Sequence, residues 1–100
     1  MVSKYYVKDR IEREKLIKEI GIGKEIATFR VDKGRSDEAE LHTITSTGII
    51  IIRNEKTHKL VTKLIARPNQ IKKYFDKDTE MVKKLILVAE AHQKRGYNKI

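Results

Sequence analysis

The chain has no cysteine. That single absence excludes disulfides, thiolate zinc sites and cysteine nucleophiles. There is no tryptophan and only one proline, Pro68, so punctuation of the chain falls largely to its five glycines. Long apolar runs are missing as well. Even the strongly apolar run Gly48 to Ile52 is far too short to span a bilayer. The N-terminal stretch MVSKYYVKDRIEREK lacks the apolar segment of a signal peptide. A cytoplasmic location with no membrane partner is therefore expected. The three histidines are scattered, with no His-x-x-x-His spacing, and neither a nucleophile elbow nor a phosphate-binding glycine loop occurs. No metal site and no cofactor are expected.

What is present is charge and β-branched residues. Charged residues make up 37% of the chain against 39% hydrophobic, a load that leaves room for one core, so residues 1–100 read as a single domain. The net charge of +9 is unevenly spread. Residues 1–55 hold 11 Lys/Arg against 10 Asp/Glu, whereas residues 56–100 hold 12 against 4. A directed positive surface of this kind suits phosphate backbones. The same lysines also suit a protein that charge merely keeps soluble.

Residues from about Val2 to Ile20 predict a helix, rich in Lys, Glu, Ile and Leu and free of Gly and Pro. Its amphipathic pattern is imperfect. Leu16, Ile17 and Ile20 share a face nearly opposite Val7 and Ile11, and Gly21 and Gly23 end the helix. Four strands follow by period-two alternation, at 25–31, 40–45, 49–53 and 59–66. The loop Asp32 to Asp37 reads as polar surface, Ser46-Thr47-Gly48 as a turn, and Asn54 to His58 as a hairpin loop. The run Ile49 to Ile52 is apolar on both faces, which implies a central strand covered at least partly on each side. Short connections make neighbouring strands antiparallel. Pro68 begins a short helix to Phe75. The last helix runs from about Thr79 to Lys94, capped by Asp78 or Thr79, with Met81, Val82, Leu85, Ile86, Ala89 and His92 on one broad stripe. The expected class is α+β: an N-terminal helix, a four-stranded antiparallel sheet, a short helix, and a C-terminal amphipathic helix packed on the sheet.

His42 is the first candidate for chemistry, because an imidazole near neutral pH both takes and gives protons. It shares a strand face with Ile44, so it equally suits a half-buried sheet position. His58 falls in a loop, and His92 closes the stripe of the last helix. A denser polar set comprises Thr62, Lys63, Arg67, Gln70, Lys72, Lys73 and Tyr74. Arginine grips a phosphate through paired hydrogen bonds, and tyrosine stacks on a base or donates a proton. Arg67, Gln70 and Tyr74 lie near one face of the short helix. A solvated lysine-rich face with a partly buried tyrosine is the plainer reading of the same residues.

The pattern His-x-Ile-Thr-x-x-Gly-Ile-Ile-Ile-Ile, followed by Lys-Leu-Val-Thr-Lys-Leu-Ile-Ala-Arg-Pro-x-Gln-Ile-x-x-Tyr, resembles small proteins of phages and mobile elements of Gram-positive bacteria. In layout it is also similar to the barnase–EndoU–colicin–RelE superfamily of RNases, which place one or two helices before a four-stranded antiparallel sheet and cut RNA without a metal. The resemblance covers residues 42–75. It implies that His42 is a catalytic histidine of an early strand, Thr62 a polar residue of a later strand, and Arg67 a phosphate-binding arginine. Here two helices follow the sheet, where many members of that superfamily end on it. The function so implied is metal-independent RNA cleavage by acid–base chemistry; the residues on their own terms suit it, with Tyr74 as a second proton donor, Arg67 or Lys63 as the cation, and Gln70, Lys72 and Lys73 on the nucleic acid. Two alternatives stand beside it. One is a non-catalytic basic nucleic-acid-binding module; the other is a phage or mobile-element protein whose partner is an inhibitor or another protein.

Overall fold

A computed structural model describes residues 3–34 and 37–96, with side chains from residue 11 onward. The elements run α1 (Ser3–Ile20), β1 (Glu25–Val31), β2 (Glu40–Thr45), β3 (Ile49–Asn54), β4 (Leu60–Ile65), α2 (Pro68–Tyr74) and α3 (Glu80–Lys94). Val2 and the side chain of Val7, both used in reading the first helix, lie outside what is described. The four strands form one antiparallel sheet in the order β1-β2-β3-β4. The class is α+β, as the residue pattern predicts. No helix among the described residues is long and apolar enough to cross a membrane.

The isoleucine run sets the layering. Ile50 and Ile52 face one side of the sheet with Ile44 and Leu64, and against them pack Ile71 of α2 and Val82, Leu85 and Ala89 of α3. Ile49 and Ile51 face the other side with Ile65, and against them packs Ile17 of α1, flanked by Leu16, Ile20 and Ile22. All four isoleucines of β3 are at most 3% exposed. Burial of each contributes about 1.5–3 kcal/mol, so a sheet naked on either face would forfeit much of its stabilisation. Helices on both faces are the consequence. Ile11, on the other face of α1 from Ile17, is left 51% exposed.

Side-chain and turn chemistry sets the ends of the elements. Asn54 extends β3 by one residue beyond the predicted end, since its N–H donates to Lys59 O while its Oδ1 accepts from Lys56 N and Thr57 N. Phe75 leaves α2 in an extended conformation, one residue earlier than predicted. Thr79 caps α3, its Oγ1 accepting from Val82 N at 3.2 Å. The turn after β2 joins three elements. Thr47 donates to Gly21 O and Ile22 O at the end of α1, and its own carbonyl accepts from His92 Nε2 of α3 at 2.8 Å. His92 thus closes the buried stripe of α3 and also fixes the C-terminal end of that helix. Met81, at the stripe's edge, is 38% exposed.

Leu85 is 3% exposed in the core under α3 and Lys83 lies on the outer side. Leu85→Ala should therefore destabilise the protein by about 2–5 kcal/mol, and Lys83→Ala by no more than about 0.5 kcal/mol. Urea unfolding of the two variants checks this; equal midpoints would place the wrong face of α3 on the sheet.

Candidate functional site

Alternation along β2 puts Glu40, His42 and Ile44 on the α2–α3 side of the sheet. His42 pairs with Phe29 of β1 and with Ile52 of β3, and Ile52 in turn pairs with Thr62 of β4. All of these share that face. The apolar cover of α3 occupies the Ile44 end. The His42 end meets the last turn of α2, where Tyr74 comes down on the sheet.

Three polar side chains are joined there. Tyr74 Oη lies 2.6 Å from His42 Nδ1, across 32 residues of sequence, and His42 Nε2 lies 3.0 Å from Glu40 Oε1. Glu40 is 0% exposed and His42 8%, whereas Tyr74 is half-buried and forms the outer end of the chain. With Glu40 ionised and the His42 ring neutral, the carboxylate accepts and the proton sits on Nε2. Nδ1 of the neutral ring is then an acceptor, and the phenol donates to it. A proton leaving Tyr74 would arrive on Nδ1 and make an imidazolium beside the Glu40 carboxylate. This is the order of groups that activates a nucleophile or base: reactive hydroxyl, imidazole, orienting carboxylate. Aromatic packing holds the phenol in place. The Phe29 and Tyr74 ring centroids are 5.4 Å apart, and Phe75 meets Phe29 edge-on at 5.1 Å.

The other sequence candidates are distributed around this group. Thr62 lies on the same face, two strand spacings or about 10 Å from His42. Arg67 is exposed at the start of α2, about 10 Å along the helix from Tyr74. Its backbone is extended, as the residue before a proline requires. Gln70 is committed locally, its Oε1 accepting the Arg67 N–H at 2.8 Å. Lys72 and Lys73 are exposed on α2. Lys63 is elsewhere. It pairs with Ile51 and so points to the α1 side, where it lines a hollow of about 360 Å³ with Glu14, Ile17, Lys18, Gly21 and Ile22. The sheet separates it from His42. His58 sits in the β3–β4 turn, exposed and with a φ of 61°. Among the described residues no group of three or more His, Asp or Glu side chains is placed to hold a metal ion.

Sequence reading missed two members of the site. Glu40 is two residues before His42 in a strand, so period two already places it on the same face. Phe29 becomes visible only once the β1–β2 register is known. Arg30, next to Phe29 but facing the other side of the sheet, is held by Glu55 and then by Asp32, and both carboxylates raise its already high pKa. Comparison with known proteins finds no family model, no curated protein and no solved structure that matches this chain.

The network generates an ordering of stabilities. Tyr74→Phe keeps the packing against Phe29 and loses the hydrogen bond to His42 Nδ1, so it should cost about 0.5–1.5 kcal/mol or more. His42→Ala removes a buried ring and strips Glu40 of its imidazole, and should cost at least about 2 kcal/mol. Chemical denaturation measures both; a costlier Tyr74→Phe would mean that the phenol has been given the wrong partner.

Proposed function

We propose that this chain is a metal-independent ribonuclease of the kind carried by phages and mobile elements, acting on RNA in the cytoplasm. The observation that carries this reading is the hydrogen-bonded series Glu40–His42–Tyr74, which joins two residues singled out as proton carriers to an orienting carboxylate. Cleavage by attack of the 2′-hydroxyl on the adjacent phosphorus needs a base for that hydroxyl and a cation for the phosphate. Tyr74, the most accessible of the three, takes the 2′-hydroxyl proton as its own passes to His42 Nδ1, and Glu40 stabilises the resulting imidazolium. The 2′-oxygen bonds to phosphorus, the bond to the 5′-oxygen breaks, that oxygen takes a proton from water, and the hydroxide so formed takes the imidazolium proton back through Tyr74. Arg67, with Lys72 and Lys73 on the following turns, meets the backbone phosphates. Thr62 borders the path on the sheet side. Lys63, on the far side of the sheet, has no part in it, and Gln70 serves by holding the Arg67 backbone.

The burial of the network favours a second reading. His42 has both ring nitrogens engaged inside the protein. A network that only pins α2 to the sheet looks the same, and the basic surface then belongs to a non-catalytic nucleic-acid-binding module.

With single-stranded RNA between pH 5 and 9, cleavage should persist in EDTA. His42→Ala and Tyr74→Phe should each lose at least about a hundredfold in rate, Arg67→Lys should also be poor because a point charge does not reproduce paired contacts, and His58→Ala should be close to wild type. RNA affinity should fall steeply with salt. The double change of Lys72 and Lys73 to Ala should flatten that slope by about 2, while Lys63→Ala leaves it unchanged. Intact RNA together with salt-dependent binding would select the binding module. Absence of binding at low salt would select a protein partner instead.

A further inference from the structure

The loop between β1 and β2 reads from sequence as mobile polar surface, yet one of its residues lies against the innermost group of the site. A Cβ built on Gly34 would stand 1.8 Å from Glu40 Oε1, 2.0 Å from its Cδ and 2.6 Å from its Cγ. Such distances are impossible without movement. Gly34 is not among the glycines with a positive φ, which are Gly21, Gly23, Gly48 and Gly96. Its backbone therefore accepts an L-residue, and what glycine supplies here is space. The Glu40 carboxylate fills the volume that any side chain at position 34 would need.

We infer that Gly34 is a positioning residue, pressing the Glu40 carboxylate into its hydrogen bond with His42 Nε2 and sealing it from water. On the loop side, the described residues are held by backbone and side-chain bonds. Gly34 N–H donates to Glu38 O and Asp37 N–H to Gly34 O, each at 3.0 Å. Glu38 Oε2 accepts from Asn54 Nδ2 at 2.7 Å, and Ala39 O accepts from Glu55 N at 3.0 Å. Arg30 adds its bonds to Asp32 and Glu55. The loop is thus tied to the β3–β4 turn at several points, so a methyl group at position 34 moves the carboxylate and with it the series ending at Tyr74. The consequence for cleavage rests on the ribonuclease reading; the consequence for the His42 ring does not.

The test is a double-mutant cycle of Gly34→Ala and Glu40→Ala in the whole chain, read by urea unfolding and by the ¹⁵N resonances of the His42 ring. In the wild-type background, Gly34→Ala should raise the unfolding equilibrium constant about tenfold or more and shift the Nε2 resonance. In the Glu40→Ala background, where the obstructing atoms are gone, the same substitution should change neither. If Gly34→Ala alone does not fold, the double variant must still fold as Glu40→Ala does. Equal effects in both backgrounds, an unmoved His42 ring, or a double variant that fails where Glu40→Ala folds would overturn the inference. A coupled cycle in a protein that leaves RNA intact would uphold Gly34 in its role and count against the ribonuclease reading alone.

Discussion

β3 is apolar on both faces, and most of the structure answers to that constraint. Four consecutive isoleucines cannot leave either side of the sheet in water without losing several kcal/mol. One side is closed by Ile17 of α1, the other by Ile71, Val82, Leu85 and Ala89. Once both faces are covered, polar chemistry has no broad open sheet on which to sit. On the α2–α3 side it sits at the His42 end, where the helical cover narrows to the short α2 and its last side chain is a tyrosine. A sheet-based RNase with an open face would display its side chains directly to RNA. On the proposed function, the substrate meets the chemistry at Tyr74, with His42 and Glu40 behind it.

Burying a carboxylate and an imidazole under that cover is costly unless each finds partners. Among the described residues no buried side-chain nitrogen or oxygen lacks a hydrogen bond. The phenol brings α2 onto the sheet, the imidazole fixes the phenol, and the carboxylate fixes the tautomer of the imidazole. Fold and candidate site share these bonds, so mutations here act on stability and on the geometry of the site together. Variants that move the His42 ring without unfolding the chain are for that reason the most informative.

The fold was legible because its signals are local. Period two marked the four strands within a residue or so of their ends, Pro68 marked the start of α2, and Gly21 the end of α1. The stripe Val82-Leu85-Ala89-His92 named the buried side of α3. The double-sided isoleucine run announced a covered sheet. The site was half legible. His42 and Tyr74 were named separately for their chemistry, but nothing within 32 residues of chain indicates that they touch, since that contact depends on how α2 folds back. Lys63 shows the opposite case. Alternation had already set it across the sheet from Thr62, yet grouping residues by charge placed the two together; where parity and composition conflict in a strand, parity decides. Glu40 shared the parity of His42 and was passed over, because a carboxylate at the start of a strand reads as solvated until a loop closes on it.

On the proposed function, RNA contacts this protein first at the Tyr74 hydroxyl, ahead of His42 and Glu40. The most direct measurement is an NMR titration with a short RNA carrying a 2′-deoxy nucleotide at the cleavage position, which removes the nucleophile and leaves the phosphates. The expected result is a set of shifts centred on the Tyr74 ring, the His42 ring nitrogens and the backbone amides of α2 from Gln70 to Lys73, with Lys63 and Lys18 unmoved. Shifts confined to the α1 side of the sheet or to the exposed side of α3, with Tyr74 and His42 unchanged at saturation, would contradict it.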